Sequence, residues 1–223
     1  MSDRPRLSRQ HGYGLVLVLV LASVSFQVAA PETDWSRLVG IVLGAATVVM
    51  AVWAARAQRR WVRAIAVLTA VLALGSFVVL LATGDLGRAP AGLVNAALIL
   101  VAPAVIGGGL VRDFRAEGAV TVRTLSGVLA IYLLIGMAFA LVASAVAAIQ
   151  DGPYFEGEAD PTLSDFIYFS YVTISTTGYG DLLPVTDVGR MLAVAEALIG
   201  QIYLVTVVAL IVANLRPSTP APR

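Results

Sequence analysis

The sequence predicts an all-α membrane protein with six membrane-spanning helices and a short helix that re-enters the membrane between the fifth and the sixth. Of the 223 residues, 59% are apolar and 13% are charged, whereas water-soluble domains carry about 25% charged residues. Six stretches are long enough to cross a bilayer, which takes about 20 mostly apolar residues. They are residues 13–30, 38–55, 62–82, 92–111, 125–148 and 188–214.

The composition also excludes several kinds of chemistry. The chain has no cysteine, so it has no disulfide, thiolate metal site or cysteine nucleophile. It has no glycine-rich phosphate loop followed by Lys, and its arginines cluster at the predicted membrane boundaries. No nucleic-acid partner and no soluble cofactor are therefore expected. His, Asp and Glu form no cluster inside the predicted spans, so we do not expect an enzyme.

The arginines predict the orientation in the membrane. All fifteen basic residues are Arg, and cytoplasmic loops are enriched in such residues. Six spans place both termini on one side, which holds twelve of the fifteen, all except Arg37, Arg88 and Arg190. The sequence thus predicts a multi-pass protein of the plasma membrane with cytoplasmic N- and C-termini.

The first predicted span has two interpretations. The residues before it are basic, and it ends in the small residues Val28-Ala29-Ala30. Both features are typical of signal peptides, which are cleaved after small residues. Its apolar run over residues 13–30 is, however, longer than the usual signal-peptide core of about 7–15 residues. We therefore predict an uncleaved anchor.

Acidic residues crowd the predicted outer side between the fifth span and the segment that follows the re-entrant helix. Six are found there: Asp151, Glu156, Glu158, Asp160, Asp165 and Asp181. They form either a solvated loop or an entrance that raises the local concentration of cations.

A short apolar run lies between the fifth and sixth spans. Residues 166–174 are too apolar for an exposed linker and too few to cross the bilayer. Thr162 or Ser164 is a suitable N-cap, and Asp165 would lie in the first turn, near the positive end of the helix dipole. The pattern predicts a re-entrant helix over residues 163–175.

The segment directly after this helix has one glycine on each side of a tyrosine. Its sequence is Thr176-Thr177-Gly178-Tyr179-Gly180-Asp181. Non-helical backbone at membrane depth is tolerated where it lines a watery cavity. Alternating glycines allow successive carbonyls to point the same way, because glycine reaches backbone conformations closed to other residues. Four copies around an axis would form stacked rings of oxygen that replace the water shell of K⁺.

Residues 173–181, Thr-Ile-Ser-Thr-Thr-Gly-Tyr-Gly-Asp, resemble the pore signature of the potassium channel superfamily. The chain looks like a prokaryotic-type pore-loop channel with six spans, and the resemblance covers about residues 125–214. It implies a homotetramer in membrane lipid, in which K⁺ is the permeant ion and no cofactor is needed. It further implies a selectivity filter. The ion sites of this filter would be the carbonyls of Thr176, Thr177, Gly178 and Tyr179 together with the Thr176 hydroxyl. Gly178 and Gly180 would supply its backbone conformation. The Tyr179 ring would pack on the pore helix.

The chain departs from the family pattern at two positions. Thr177 stands where relatives most often carry Val or Ile, and its β-branched shape should preserve the backbone. Val172 stands where some relatives place an acid behind the filter, so Asp181 needs another partner, for which Tyr168 is a candidate.

The sixth span contains an acidic residue, Glu196, and one turn later Gly200. Intramembrane acids are candidates for function. We consider three roles for Glu196: a protonated hydrogen-bond donor behind the filter, a charge that lines the cavity, and an ordinary interface contact. Gly200 resembles the glycine at which inner helices of the family are proposed to bend, and close helix packing is the equal alternative.

The fourth predicted span lacks the spaced arginines that a voltage sensor requires. Over residues 92–111 its polar content is Asn95, and Pro103 and the glycines 107–109 suggest a kink. The leading hypothesis is a potassium-selective channel without voltage gating by this helix. The alternatives are a weakly selective monovalent cation channel and a nonconducting membrane sensor with a pore-like loop.

The predicted organisation along the chain has five parts. They are a cytoplasmic N-terminus (1–12), a four-helix transmembrane domain (13–111), a cytoplasmic linker (112–124), a pore domain (125–214, with pore helix 163–175, filter 176–181 and inner helix 188–214) and a short cytoplasmic tail (215–223).

Overall fold

The computed structural model describes residues 12–31, 33–55, 59–83, 88–117 and 122–213. Within these ranges the chain is helical and has no strand, apart from isolated bridges of Phe155 with Glu158 and Pro184. Seven helices are described: α1 Gly12–Ala29, α2 Asp34–Ala54, α3 Arg59–Thr83, α4 Arg88–Glu117, α5 Val122–Ile149, α6 Leu163–Ile174 and α7 Asp187–Ala213. Five of them, α1, α2, α4, α5 and α7, are long and apolar enough to cross a membrane.

The remaining two helices have shorter apolar stretches. The third predicted span falls in α3, whose apolar stretch among the described residues is Val67–Val79. The 12 residues of α6 are too few to span a bilayer. The structure therefore gives an all-α membrane protein with five candidate spans. The N-terminus, through residue 11, and the tail predicted at 215–223 lie outside the described residues.

Helix α5 lies at the centre of the fold and packs against α1, α4, α6 and α7. Its inward face is built of small and branched side chains, and Ala130, Leu134 and Ala140 are almost fully buried. Helix α1 contributes Tyr13 and Val16, both completely buried, to the same core. The first predicted span is thus an integral part of the packed helices.

Helix α4 runs without interruption from Arg88 to Glu117. It is helical through Pro103 and the glycines 107–109, and it continues past the predicted end of the span at 111 into the predicted linker. Gly109 of α4 lies close to α1 and to the end of α2, because a Cβ there would collide with the Tyr13 hydroxyl and with Ala55. The glycine allows α4 to approach α1 and α2 closely.

The segment between α5 and α6 is anchored by an aromatic cluster. The ring centroids of Tyr154 and Phe166 are 5.1 Å apart, and Phe155 lies 5.1 Å from both Phe166 and Phe169. Backbone bonds from Glu156 N to Leu183 O (2.9 Å) and from Val185 N to Tyr154 O (3.0 Å) join this segment to the chain that follows residue 181. The cluster and these bonds hold the N-terminal half of α6 against the loop on either side of it.

Helix α7 is the least buried of the five candidate spans. Only 11% of its apolar window is buried, compared with 56% for α5. Large apolar side chains are exposed along its whole length, among them Met191, Val194, Leu198, Ile202, Val205 and Val208. Much of α7 is therefore uncovered in a single chain.

Candidate functional site

Helix α6 begins with a reciprocal cap. The Thr162 side chain accepts from the Asp165 backbone N–H, and the Asp165 carboxylate accepts from the Thr162 backbone N–H at 2.8 Å. Of the two N-caps that the sequence allows, the helix uses Thr162. Asp165, one of the six clustered acids, thereby has a structural part in this turn.

The loop after α6 has a positive φ at every second residue. The values are +58° at Thr176, +55° at Gly178 and +77° at Gly180. Thr176 is the one described non-glycine residue with positive φ, a conformation that is strained for a β-branched side chain. Alternation of this kind turns successive carbonyls toward the same side of the chain.

Main-chain carbonyl oxygens at the end of α6 hold the start of this loop. The Val172 carbonyl accepts hydrogen bonds from the backbone N–H groups of Thr177 (2.9 Å) and Gly178 (3.3 Å). Val172 therefore acts through its backbone, a contact that residue type alone does not reveal.

The carbonyl oxygens of the loop are free of protein donors. Residues 175–181 are exposed in the single chain. Within the described part of the protein, no N–H or O–H group donates to a carbonyl of residues 176–180. The five successive carbonyl oxygens of residues 176–180 are thus available as acceptors, while N–H groups at the start of the loop bond to α6.

The additional hydroxyl of Thr177 is satisfied within the chain. Its Oγ1 lies 2.9 Å from Ser175 Oγ, and Ser175 Oγ lies 2.6 Å from the Tyr171 carbonyl. A serine hydroxyl has one proton. When Ser175 donates to Tyr171, Thr177 is the donor to Ser175, so the Thr177 side chain bonds toward α6.

Tyr168, Tyr179 and Asp181 come together at the outer side of the loop. The Tyr168 hydroxyl donates to Asp181 Oδ2 at 2.7 Å, and the rings of Tyr168 and Tyr179 lie parallel with centroids 6.5 Å apart. This hydrogen bond lowers the pKa of Asp181 and, with a smaller desolvation effect, raises the pKa of Tyr168 to about 12. Tyr168 thus contacts both the predicted filter ring and the acid that follows it.

Replacing Tyr168 with Phe is expected to raise the pKa of Asp181 toward its ordinary value while the ring contact with Tyr179 stays. A depressed carboxyl pKa stabilises the fold above the unfolded value, and this contribution is lost as the pH falls through the folded value. This contribution should therefore be smaller in Tyr168→Phe, and its loss should be complete at a higher pH than in the wild type. Carbon NMR of the Asp181 carboxyl measures the shift, and equal titration curves in the two proteins would contradict the assignment. Tyr154→Phe is a matched control away from the loop.

Glu196 lies at the junction of three helices. It is 2% exposed and contacts Ser170 Oγ on α6, which in turn lies 2.6 Å from the Gly136 carbonyl on α5. Ser170 has one hydroxyl proton for these two oxygens. If it donates to the Gly136 carbonyl, the proton between Ser170 and Glu196 must come from the carboxyl group. The sequence analysis singled out Glu196 and missed Ser170, for which the available signal was a hydroxyl in an apolar helix.

Three tyrosine hydroxyls also fasten the helices around the loop, and the sequence analysis assigned them no role. Each donates to a main-chain carbonyl of another helix or its end: Tyr132 to Ile174 (3.0 Å), Tyr171 to Leu133 (2.8 Å) and Tyr203 to Val128 (2.7 Å). Such bonds satisfy carbonyls that have no water at membrane depth.

Gly200 of α7 lies directly against the end of α6. A Cβ at this position would collide with Ile174 Cγ1 and would lie 2.8 Å from the Ile174 carbonyl oxygen. Of the two roles considered for Gly200, close packing thus has a specific contact, whereas bending stays a hypothesis.

Gly200→Ala is expected to lower the free energy of unfolding by about 1–3 kcal/mol, because a methyl group must displace the end of α6. An alanine at an open helical position has the opposite effect and stabilises by about 0.5–1 kcal/mol. Gly108→Ala on α4 is the matched control, since nothing lies within 4 Å of its added Cβ. Thermal unfolding of both variants in the same lipid measures the difference. A Gly200→Ala protein as stable as Gly108→Ala would refute the close contact.

The apolar helices and the loop between α6 and α7 define the class of this protein, a multi-pass membrane protein with an ion-channel domain. Residues 127–216 match the family described as "Ion channel", which includes α6, the loop and the described part of α7. This match and the relatives below confirm the resemblance to the potassium channel superfamily. No solved structure matches the chain.

Three relatives each match a part of the chain. A protein of Rhodopseudomonas palustris named as a candidate potassium channel protein is 38% identical over 81 residues, 36% of this chain and 19% of its own. A voltage-gated potassium channel protein of Caenorhabditis elegans is 35% identical over 80 residues, 34% of this chain and 15% of its own. Protein LctB of Bacillus caldotenax is 46% identical over 46 residues, 21% of this chain and 34% of its own. The matches thus span between 15% and 34% of each relative's length.

Proposed function

We propose that this protein is a subunit of a potassium-selective channel that conducts K⁺ passively down its electrochemical gradient. The observation that carries the proposal is the loop at 176–180, with five carbonyls free of protein donors and positive φ at alternate residues. Oxygens held in this way replace the hydration shell of a K⁺ ion. The ion sites are the carbonyls of Thr176, Thr177, Gly178 and Tyr179, with the Thr176 hydroxyl.

The proposed assembly is a homotetramer, because a single loop cannot enclose an ion. The exposed apolar face of α7 supports this, since copies of the chain around an axis would cover it. The exposure of residues 175–181 in one chain agrees with the same arrangement. Conduction of this kind involves no catalytic step and no cofactor.

The proposed architecture has six spans, with α3 as the third and α6 as a re-entrant pore helix. Both termini then face the cytoplasm of a cell whose plasma membrane holds the protein, as the distribution of arginines indicates. Residues 13–111 form a four-helix domain and residues 125–214 the pore domain. No arginine lies between Gly92 and Val111, so voltage does not act through charges on that part of the fourth helix.

Two alternatives predict different currents. A weakly selective cation channel would follow from a filter widened at Thr177 or Tyr179, although the Thr177 hydroxyl is bonded to Ser175. A nonconducting sensor would keep the loop as structure only.

The reversal potential of the purified protein in a planar bilayer tests the proposal, with K⁺ on one side and Na⁺ at equal concentration on the other. The reversal potential shifts by about 59 mV for each tenfold preference, so we expect a shift beyond this value toward the potassium equilibrium potential. A value near zero with clear current supports the weakly selective alternative, and Thr177→Val then tests whether the family's usual side-chain shape restores selectivity. No current over a wide range of voltage, pH and lipid supports the nonconducting alternative.

A further inference from the structure

Two hydroxyl groups lie between the end of α6 and the predicted filter. Ser175 is the C-cap of α6, and its Oγ lies 2.6 Å from the Tyr171 carbonyl oxygen and 2.9 Å from Thr177 Oγ1. Thr177 is the second residue of the predicted filter, and within the described residues Ser175 is the one hydrogen-bond partner of its hydroxyl. Ser175 therefore bridges the last turn of α6 and the filter.

The carbonyls at the end of α6 determine the direction of these hydrogen bonds. The Val172 carbonyl accepts from the backbone N–H groups of Thr177 (2.9 Å) and Gly178 (3.3 Å), which occupy its two lone pairs. Ser175 Oγ lies 3.3 Å from this oxygen, compared with 2.6 Å from the Tyr171 carbonyl. Ser175 consequently donates to Tyr171, and the proton between the two hydroxyls comes from Thr177.

The two carbonyls that Ser175 contacts have no lone pair left for Thr177. The Tyr171 carbonyl accepts from both the backbone N–H (3.2 Å) and the hydroxyl of Ser175, and a carbonyl oxygen has two lone pairs. The carbonyls of residues 176–180, by contrast, accept from no described donor. The Ser175 hydroxyl thus keeps the Thr177 proton away from the predicted ion sites.

We propose that Ser175 is a positioning residue of the filter, whose hydroxyl holds the Thr177 hydroxyl against α6 and so leaves the loop carbonyls to K⁺. The proposal rests on the proposed function and adds to it a residue on which selectivity depends. The Thr177 hydroxyl brings a donor into a row of free acceptors, and Ser175 provides the acceptor that this donor uses.

Removal of the Ser175 hydroxyl alone is disruptive, because it leaves the Thr177 hydroxyl without an acceptor. A donor left in this way is costly, whereas replacing both partners with apolar groups of the same shape is nearly neutral. The Thr177 proton then bonds to a loop carbonyl, which is lost to K⁺, or Thr177 moves toward the Tyr171 carbonyl that Ser175 has vacated. Either change disturbs an ion site in every subunit.

Reversal potentials in planar bilayers, with K⁺ on one side and Na⁺ on the other, test the proposal. Ser175→Ala is expected to lower the preference for K⁺ by at least about fivefold, which moves the reversal potential toward zero by about 40 mV at 59 mV for each tenfold change. The double variant Ser175→Ala/Thr177→Val removes the donor together with the acceptor, and it should regain most of the preference. A loss of stability at the end of α6 would not be reversed by the second substitution.

Ser76→Ala is the matched control. Ser76 Oγ also donates to the carbonyl four residues earlier, that of Leu72, at 2.9 Å, but it lies on α3. Its reversal potential should equal that of the wild type. An unchanged reversal potential in Ser175→Ala, which a water in place of the hydroxyl would produce, would overturn the proposal. A double variant no more selective than Ser175→Ala would overturn it as well.

A measurement without current separates this proposal from potassium conduction. Relaxation NMR of the threonine-labelled chain in lipid nanodiscs gives the order parameter of the Thr177 methyl group, whose signal is assigned by its absence in Thr177→Val. We expect this order parameter to fall in Ser175→Ala, because Thr177 loses the contact that fixes its side chain. Equal order parameters would refute the hydrogen bond even in a chain that carries no current.

The two proposals fail in different ways. Selective wild-type current with an unchanged Ser175→Ala would refute the role of Ser175 and leave the proposed function intact. A wild type without selective current would refute the proposed function, and the bond between Ser175 and Thr177 would then be structural only.

Discussion

Gly178→Ala is expected to abolish potassium-selective current while the chain remains folded. Gly178 has a φ of +55°, and a side chain in this left-handed region is unfavourable by about 1–2 kcal/mol. No atom lies within 4 Å of an added Cβ in the single chain, so the effect falls on backbone conformation rather than packing. In a tetramer the penalty occurs four times around one ion path, and the ring of Gly178 carbonyls turns away from K⁺.

The matched control is Gly152→Ala. Gly152 has a φ of +84° and equally open surroundings, but it lies in the loop before α6. It carries the same kind of backbone penalty away from the predicted filter, so its current should equal that of the wild type. Currents in planar bilayers and thermal unfolding in the same lipid measure both variants. Selective current through Gly178→Ala, or its loss in Gly152→Ala, would contradict the filter assignment.

Glu196→Gln is expected to preserve both current and thermal stability, whereas Glu196→Ala should lower the free energy of unfolding by about 2–4 kcal/mol. The reason is the single proton of Ser170, which lies between the Gly136 carbonyl and Glu196 Oε1. A protonated carboxyl or an amide can donate to Ser170, and a methyl group cannot. The contacts join α5, α6 and α7 directly behind the predicted filter, so their loss should also reduce the current.

Infrared difference spectra between wild type and Glu196→Gln test the protonation state itself. We expect a protonated carboxyl C=O band from Glu196 at neutral pH. Carboxylate bands in its place would show that Ser170 donates to a charged Glu196 and would refute the proton assignment. Ser170→Ala is the companion variant, because it removes the central hydroxyl and should shift the Glu196 band.

The sequence by itself determined the helical segments and the candidate filter. Long apolar runs are local features, so α1, α2, α4, α5 and α7 follow from composition and length. Thr162 and Asp165 are three residues apart, so the cap of α6 is also a local feature, although the sequence left Ser164 open as the other N-cap. The candidate filter was recognisable because two glycines and a tyrosine in order favour a backbone conformation with little help from distant residues.

Other features were decided only by the tertiary structure. The partner of Glu196 is Ser170 on another helix, Gly200 lies against Ile174, and Asn95 of α4 donates to Gln27 of α1. The sequence marked Glu196 and Asn95 as polar residues in apolar helices, but it did not specify which way they face. The physical reason is that the rotation and spacing of packed helices depend on side chains far apart in the chain, such as Tyr203 and Val128. Hydrogen-bond partners at such separations follow from packing, whereas caps and spans follow from neighbouring residues.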